Sequence, residues 1–340
     1  MRLLVTGAAG FIGSTYVRGL LTRGGAERGG AERGAADWGP DVSQVTVLDK
    51  LTYAGSLSNL ETADPRLTFV HGDICDAELV DTLMKQAGQV VHFAAESHVD
   101  RSIAGADAFM RTNVEGTHTL LQAALRHGVE RFVHVSTDEV YGSVETGSSS
   151  ETALLDPNSP YAASKAASDL IALAYHRTHG LDVRVTRCSN NYGPRQFPEK
   201  IIPLFITNLL DGEDVPLYGD GLNVRDWLHV EDHCRGVELA RTKGCPGEIY
   251  NIGGGTALTN RELTGLLLEA CGADWGRVRY VADRKGHDRR YAIRDDKARD
   301  GLGYRPRHDF AAGLAETVAW YRDNRAWWEP LKRSAQPTHR

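Results

Sequence analysis

Tyr161 and Lys165 form the first pair of residues whose types and spacing could carry out chemistry. A helical pattern covers both, so a spacing of four residues places the phenol and the ammonium on one helix face. A positive charge beside a tyrosine favours the phenolate and is expected to lower the pKa of Tyr161. The pair therefore predicts a base that takes the proton of an alcohol while a hydride leaves its carbon.

A second group, Ser136-Thr137-Asp138-Glu139, closes an apolar strand pattern. The Thr137 hydroxyl could share the hydrogen bond of the substrate alcohol with Tyr161. Simple oxidation of an alcohol has no use for two adjacent carboxylates. Loss of water from a 4-keto hexose needs one group to take a proton at C5 and another to protonate the leaving C6 hydroxyl. The alternative interpretation of the pair is a solvated or helix-capping acidic turn.

A glycine motif, Gly7-x-x-Gly10-x-x-Gly13, follows the first strand pattern and opens the first helical pattern. Glycines at these positions let the backbone approach a pyrophosphate, which then faces the amides of the helix N-terminus. Asp49 closes the second strand pattern, where a carboxylate can accept hydrogen bonds from ribose hydroxyls. Asp49 favours NAD over NADP, although the neighbouring Lys50 weakens that preference. Asp73 and Ile74 follow the third strand pattern and lie near the adenine or, equally, cap a helix.

Short β-branched segments alternate with longer helical patterns across the first half of the chain, which predicts an α/β, doubly wound parallel sheet of the Rossmann type. Strands are predicted at Arg2–Thr6, Val45–Asp49, Leu67–His71, Val90–Phe93, Phe132–Ser136 and Val183–Arg187, and helices at Phe11–Leu21, Ala77–Gln86, Ala106–Arg126 and Tyr161–His179. Ligands of such folds lie at the carboxyl ends of the strands.

Two domains are expected. Residues 1–189, together with 224–250, are predicted to form the NAD-binding domain, and residues 190–340 mainly a smaller C-terminal lobe that binds the substrate, with helices near Ile201–Leu210 and Asn260–Ala270. Residues 22–43 contain GAERG twice in tandem and are predicted to be an inserted flexible loop. Gly253-Gly254-Gly255 predicts a turn rather than a phosphate loop, because no helical pattern opens on it.

Charge and composition restrict the partners. The net charge of -6 and the lack of a basic segment argue against nucleic acid and anionic membranes, so small molecules are expected. The N-terminus does not have the pattern of a signal peptide, and five scattered cysteines fit reduced thiols in a cytoplasmic protein. His229 and His233 have the spacing of a zinc-binding pair, but the sequence predicts that they straddle a helix start, so no metal is expected.

Several longer strings carry a resemblance that covers nearly the whole chain. The sequence resembles the extended short-chain dehydrogenase/reductases and, within them, the dTDP-glucose 4,6-dehydratases; the matching strings are TGAAGFIG, LDKLTYAG, HGDI, FAAESHVDRS, STDEVYG, YAASKAASD, NNYGPRQFPEKIIP, GLNVRDWLHVEDH and DRKGHDRRYAI. The departures are the duplicated loop and Ala8, which stands where a glycine is common in the family.

The resemblance implies a lyase that dehydrates dTDP-glucose to dTDP-4-keto-6-deoxyglucose with bound NAD⁺. Thr137 and Tyr161 would handle the C4 hydroxyl, and Lys165 would orient the cofactor ribose and tune Tyr161. Asp138 would be the acid for C6 and Glu139 the base at C5. The resemblance also implies a homodimer through the helices Ala106–Arg126 and Tyr161–His179.

The binding residues that the motifs and the resemblance imply form two sets. Those expected against NAD are Gly7, Gly10, Phe11, Ile12, Gly13, Asp49, Lys50, Leu51, Thr52, Asp73, Ile74, Phe93, Ala94, Ala95, Thr112, Tyr161, Lys165 and Asn191. Those expected against the sugar nucleotide are Ser97, Thr137, Asn190, Glu199, Lys200, Pro216, Tyr218, Arg225, Asn260 and His287. The planar guanidinium of Arg225 suits a diphosphate.

Other functions remain as alternatives. A sugar-nucleotide 4-epimerase would share the nucleotide site, Tyr161 and Lys165 but would need no acid and base at C5 and C6, so Asp138 and Glu139 argue for a dehydratase. A UDP-glucuronate decarboxylase or a GDP-mannose dehydratase would differ in the nucleotide that the lobe selects. A redox sensor could bind NAD without turnover, but it would have no use for the catalytic residues.

Overall fold

A seven-stranded sheet forms the centre of the computed structural model, which describes residues 1–22 and 42–335. Its strands are β1 (Arg2–Thr6), β2 (Gln44–Asp49), β3 (Leu67–His71), β4 (Gln89–His92), β5 (Arg131–Thr137), β6 (Val183–Cys188) and β10 (Ile249–Ile252). They are ordered β3-β2-β1-β4-β5-β6-β10, and all neighbours are parallel. Because the order reverses beside β1, the predicted doubly wound parallel sheet is confirmed.

Helices cover both faces of this sheet. On one face lie α1 (Phe11–Thr22) and α8 (Val230–Lys243), and on the other α2 (Ala77–Met84), α5 (Thr117–Arg126) and α6 (Pro160–His179). Consecutive strand residues enter opposite cores, as Leu4 and Val5 do. Strands that are buried on both faces explain the continuous apolar patterns of the sequence.

The helix predicted over Ala106–Arg126 is not one continuous α-helix. It consists of α4 (Asp107–Phe109), a π-helical segment (Met110–Gly116) and α5. Asn113, within the π-helical segment, donates to the Glu96 carbonyl at 3.0 Å and to Ser164 Oγ at 2.8 Å, and accepts from the Glu96 amide at 2.9 Å. These bonds hold the wider turn against the loop after β4, and no periodicity of the sequence reveals them.

The remaining strands and most of the remaining helices build a lobe. β7 (Asn190–Tyr192), β9 (Val224–His229) and β11 (Ala257–Thr259) form a three-stranded sheet, while β8 (Val215–Tyr218) pairs with β12 (Val278–Val281). Of the remaining helices, α3 (Val99–Ala104) packs against α6, and α10 (Asp296–Leu302) packs against α8 and β10. The lobe strands are covered by α7 (Ile201–Leu210), α9 (Asn260–Cys271), α11 (Phe310–Asp323) and α12 (Arg325–Ala335). Trp328, Tyr321 and Phe205 belong to a third core, which lies between these helices and β9.

The glycine run of residues 253–255 is a turn. The Asp226 carboxylate accepts hydrogen bonds from the amides of Gly254 at 3.0 Å and Thr256 at 2.7 Å. A Cβ on Gly254 would lie 2.5 Å from the carbonyl carbon of Trp227, so the close approach requires glycine. β11 follows the turn, so no helix opens on it.

Of the predicted insertion at 22–43, residues 23–41 lie outside the described residues. Within residues 1–22 and 42–335, no helix combines the length and the apolar character that crossing a membrane requires.

Candidate active site

A cavity of about 450 Å³ lies at the carboxyl ends of the sheet strands, between the sheet and the lobe. It brings together the predicted catalytic residues and the two predicted sets of binding residues, with one exception. Leu51 does not line the cavity; its side chain packs against the core beside α1, and its backbone has a φ of 51°. The site therefore lies where the sequence predicted it, at the carboxyl ends of the parallel strands.

The glycine motif forms a close-packed turn that fits a dinucleotide. Gly7 has a φ of 72°, and a Cβ there would lie 2.5 Å from the Ala94 Cα. A Cβ on Gly13 would lie 2.6 Å from the Gly7 carbonyl oxygen. Side chains are therefore excluded where α1 begins, and the helix amides that follow Gly10 are left accessible to a pyrophosphate.

Asp49 lies at the end of β2 with both carboxylate oxygens engaged by backbone amides, from Ala9 and Leu51, each at 2.8 Å. Burial raises the pKa of Asp49. Lys50 is paired with Asp73 at 2.7 Å, so its charge is already compensated and its presence argues less strongly for a 2′-phosphate. Asp73 does not cap α2, because Asp76 takes that position.

Tyr161 and Lys165 lie on the first turns of α6, where Ser159 caps the helix and Pro160 occupies the first turn. Lys165 Nζ donates to the Val135 carbonyl at 2.8 Å, and burial lowers the pKa of this ammonium to about 8. The expectation that Lys165 lowers the pKa of Tyr161 is not met in this structure. Burial, and then the charge of Glu139, raises the pKa of Tyr161 well above its ordinary range, while a hydrogen bond with Thr137 opposes the shift.

Asp138 and Glu139 begin a short 3₁₀ helix (Asp138–Tyr141) directly after β5, and Thr137 Oγ1 caps it by accepting from the Glu139 amide at 3.2 Å. Asp138 is 3% exposed, and its Oδ2 has no hydrogen-bond partner among the described residues. Burial, then Glu139 and Asp226, raises the pKa of Asp138 well above its ordinary range. A raised pKa favours the protonated form of this carboxyl, which is the form that can act as an acid.

Glu139 has different surroundings. Burial raises its pKa, but the positive charges of Lys200, Arg284 and Arg225 oppose the shift. These cations stabilise the carboxylate form, so Glu139 is the better base of the pair. The charges near the two consecutive residues therefore differ: they favour the protonated form of Asp138 and the carboxylate form of Glu139.

Sequence reasoning missed two residues that face Glu139. The Tyr291 hydroxyl lies 3.4 Å from Glu139 Oε2 and donates to Asp288 Oδ2 at 2.8 Å. The guanidinium of Arg225 lies 4.1 Å from the centre of the Tyr291 ring. Arg284 also lines the cavity. Both residues belong to the string DRKGHDRRYAI, from which only His287 was selected, so the motif itself was the available signal.

The predicted sugar-nucleotide residues come from both halves of the molecule. Lys200 Nζ donates to the Ser97 carbonyl at 2.8 Å, and Glu199 pairs with Arg101 at 3.2 Å. Arg225 donates to the carbonyls of Val224 and Asp288, at 2.7 and 2.9 Å. Cations are thus concentrated on the lobe side of the cavity, where a diphosphate would find them.

His229 and His233 do not form a pair. His229 caps α8, whereas His233 Nδ1 contacts Asn191 Oδ1 at 2.9 Å. His229 instead stacks on His308, with ring centres 3.9 Å apart, and together with Glu231 these residues place three potential metal-ligand atoms within 4.8 Å of one another. Burial lowers the pKa of His308, but Asp232 and Glu231 outweigh burial and raise it to about 9. His308 therefore acts as an imidazolium that ties its loop to α8.

Comparison with known proteins identifies relatives over almost the full length. Residues 4–317 match the family model described as GDP-mannose 4,6 dehydratase. The dTDP-glucose 4,6-dehydratase of Streptomyces antibioticus is 70% identical over 98% of this chain and 96% of its own. That of Streptomyces griseus is 64% identical over 97% of this chain and 96% of its own.

Solved structures agree with these relatives. The dTDP-glucose 4,6-dehydratase DesIV from Streptomyces venezuelae, crystallised with NAD and TYD bound, has a TM-score of 0.92 and 63% identity, covering 97% of this chain and 100% of that one. A UDP-glucose 4-epimerase of Thermotoga maritima has a TM-score of 0.85 and 33% identity, covering 95% and 99%. The fold is thus shared with epimerases, whereas the highest of these identities belong to dehydratases. The chain belongs to the sugar-nucleotide dehydratase family that the matching model describes and, within it, to the dTDP-glucose 4,6-dehydratases.

Proposed function

We propose that this protein converts dTDP-glucose to dTDP-4-keto-6-deoxyglucose, with NAD as a bound cofactor that is regenerated in each cycle. The observation that supports the proposal is the pair Asp138 and Glu139, which lies in one cavity with Tyr161. The surroundings of Asp138 favour an acid, and those of Glu139 favour a base. An epimerase would have no use for this difference between the two carboxyl groups.

The first step is oxidation at C4 of the glucosyl ring. Tyr161 takes the proton of the C4 hydroxyl, and Thr137, hydrogen-bonded to Tyr161, orients that hydroxyl. When bound, NAD⁺ supplies the hydride acceptor, which carries a positive charge and later returns the hydride to C6. A positive charge favours the phenolate and opposes the effect of burial on Tyr161.

The second step is elimination of water. The C4 ketone acidifies the C5 hydrogen, and Glu139 takes that proton as the C5–C6 double bond forms. Asp138 gives its proton to the C6 hydroxyl, which leaves as water. The positive charges of Lys200, Arg284 and Arg225 oppose the rise in the pKa of Glu139 that burial causes, and so favour the carboxylate that takes the proton. Once the hydride has been delivered to C6, Glu139 returns its proton to C5. Tyr161 then releases the proton that it took from the C4 hydroxyl, and Asp138 takes up one proton, which restores both groups for the next cycle.

The choice of nucleotide follows from the relatives. The relatives from Streptomyces antibioticus and Streptomyces griseus are named dTDP-glucose 4,6-dehydratases, which favours a thymine nucleotide over GDP-mannose or UDP-glucuronate. The planar Arg225 and the ammonium of Lys200 are suited to the diphosphate.

The experiment that tests the function is incubation of the purified protein with dTDP-glucose, UDP-glucose and GDP-mannose, followed by mass spectrometry of the products. dTDP-glucose should lose one water and yield the keto sugar without stoichiometric release of reduced cofactor. Steady accumulation of free reduced cofactor, or a product isomeric with the substrate, would contradict the proposed cycle.

Assembly and location are the remaining parts of the proposal. A homodimer through the helical region 106–126 and α6 is supported by the exposed apolar side chains of Ile103, Met110 and Leu170 on and beside these helices. A cytoplasmic location is supported by the five cysteines, all of which are free thiols.

A further inference from the structure

A chain of hydrogen bonds connects the C-terminal helix α12 with the glycine turn. Trp327 Nε1 donates to Asn59 Oδ1 at 3.0 Å. Asn59 is 1% exposed, and its Nδ2 donates to the Ala9 carbonyl at 2.9 Å. The last helix of the lobe therefore reaches, through one buried amide side chain, the backbone between Gly7 and Gly10.

The Ala9 peptide is held from several sides. Its carbonyl also accepts from the Ser56 amide at 3.0 Å, and the Ala9 amide donates to Asp49 Oδ2 at 2.8 Å. Asp49 is the predicted ribose ligand. The position of Asn59 thus bears on both parts of the cofactor site, the diphosphate turn and the end of β2.

The other end of the chain is anchored in the lobe. Lys332 Nζ lies 2.7 Å from both Asp211 and Glu213 at the end of α7. The rings of Trp327 and Trp320 meet edge to face, with centres 5.1 Å apart. Because α12 is fixed in this way, Trp327 presents its N–H to Asn59 from a rigid support.

We propose that Trp327 and Asn59 are positioning residues for the dinucleotide, through which the lobe holds the diphosphate turn in its binding conformation and slows the release of NAD. This rests on the proposed function, in which NAD stays bound through the whole cycle. A binding turn that is already ordered loses less conformational entropy when the ligand binds, so it binds more tightly.

The test compares two neighbouring substitutions. Trp327→Phe keeps an aromatic ring but removes the N–H to Asn59. The matched control is Trp328→Phe, which removes a hydrogen bond to the Tyr321 carbonyl that stays within the lobe. For each protein the NAD content after desalting, the NAD dissociation rate into excess labelled NAD, and the melting temperature are measured.

We expect Trp327→Phe to release NAD about fivefold faster than the wild type, the effect of one net hydrogen bond. Trp328→Phe should lower the melting temperature without changing this rate. Asn59→Leu, which breaks the chain at its centre, should act like Trp327→Phe and serves if that variant does not fold. Wild-type release rates in Trp327→Phe or Asn59→Leu, or equal acceleration in Trp328→Phe, would overturn the proposal.

Dehydration of dTDP-glucose by the wild type is measured separately. If the wild-type protein retains NAD but forms no keto sugar, the proposed function is wrong. The comparison of NAD release rates would still test the role of Trp327 in that case.

Discussion

At the scale of single residues, the chemistry depends on two neighbouring carboxyl groups whose surroundings differ. Asp138 is buried without a compensating hydrogen bond on Oδ2, whereas Glu139 faces three cations. Tyr291, held by Asp288, lies beside Glu139 Oε2 and restricts its orientation. The proposed acid and base roles therefore depend on the environment of each carboxyl group and not on the residue types.

Replacement of the base tests this assignment. Glu139→Gln should leave oxidation at C4 possible, because Tyr161 and Thr137 are unchanged, but should slow overall dehydration by about 10²- to 10⁴-fold. In single-turnover measurements the absorbance of enzyme-bound reduced cofactor should rise and persist. Glu145→Gln, a change at an exposed position of the following loop, is the control. Normal dehydration by Glu139→Gln would exclude Glu139 as the base.

At the scale of elements, several short segments place these residues. β5 ends at Thr137, the following 3₁₀ helix carries both carboxyl groups, and α6 presents Tyr161 and Lys165 on its first turns. The π-helical turn around Asn113 holds the loop after β4, from which Ser97 and Glu96 line the cavity. Each segment supplies one side of the site, so a small displacement of any one of them would separate the reacting groups.

The glycine turn permits a prediction at this scale. Gly7→Ala combines backbone strain at a φ of 72° with a clash against Ala94, so NAD should be lost from the purified protein. Gly180→Ala is a matched control, because Gly180 has a φ of 73° but open space around a new Cβ. Strain of about 1–2 kcal/mol should destabilise both proteins, and only the first should lose the cofactor. Full NAD content in Gly7→Ala would contradict this prediction, because it would mean that the turn can change its conformation and still bind the cofactor.

At the scale of the whole molecule, the cavity lies between the seven-stranded sheet and the lobe. Cationic side chains of the lobe face the carboxyl groups that follow strand β5 of the sheet. The chain reaches this arrangement by leaving the sheet after β6 and returning with α8 and β10. The transfer of hydride and protons and the departure of water can then take place within one cavity.

The proposed dimer gives a prediction at this scale. Met110 is 43% and Leu170 56% exposed, so Met110→Glu combined with Leu170→Glu should place buried charge in the interface and yield monomers in sedimentation velocity. Leu154→Glu, at a side chain that is 89% exposed and lies outside these helices, should leave the assembly unchanged. A wild-type protein that sediments as a monomer would refute the dimer.

The sequence by itself predicted six of the seven strands of the sheet, most of its flanking helices and most of the residues around the cavity, but neither β10 nor α8. The hydrophobic periods of strands and helices are local features of the sequence. The functional motifs are local as well, since each lies within a few consecutive residues: the glycine motif, the pair Tyr161 and Lys165, and the segment from Thr137 to Glu139. Because parallel strands end at one edge, their placement in a common site could be inferred without coordinates.

Only the tertiary structure decided which groups face one another. The approach of Lys200 and Arg284 distinguishes Glu139 from Asp138, and burial raises the pKa of Tyr161 where the local motif predicted a lower one. The contact between Trp327 and Asn59 likewise joins segments that lie far apart in the chain. Desolvation and long-range contacts depend on the packed volume around each group, and no local spacing of residues encodes that volume.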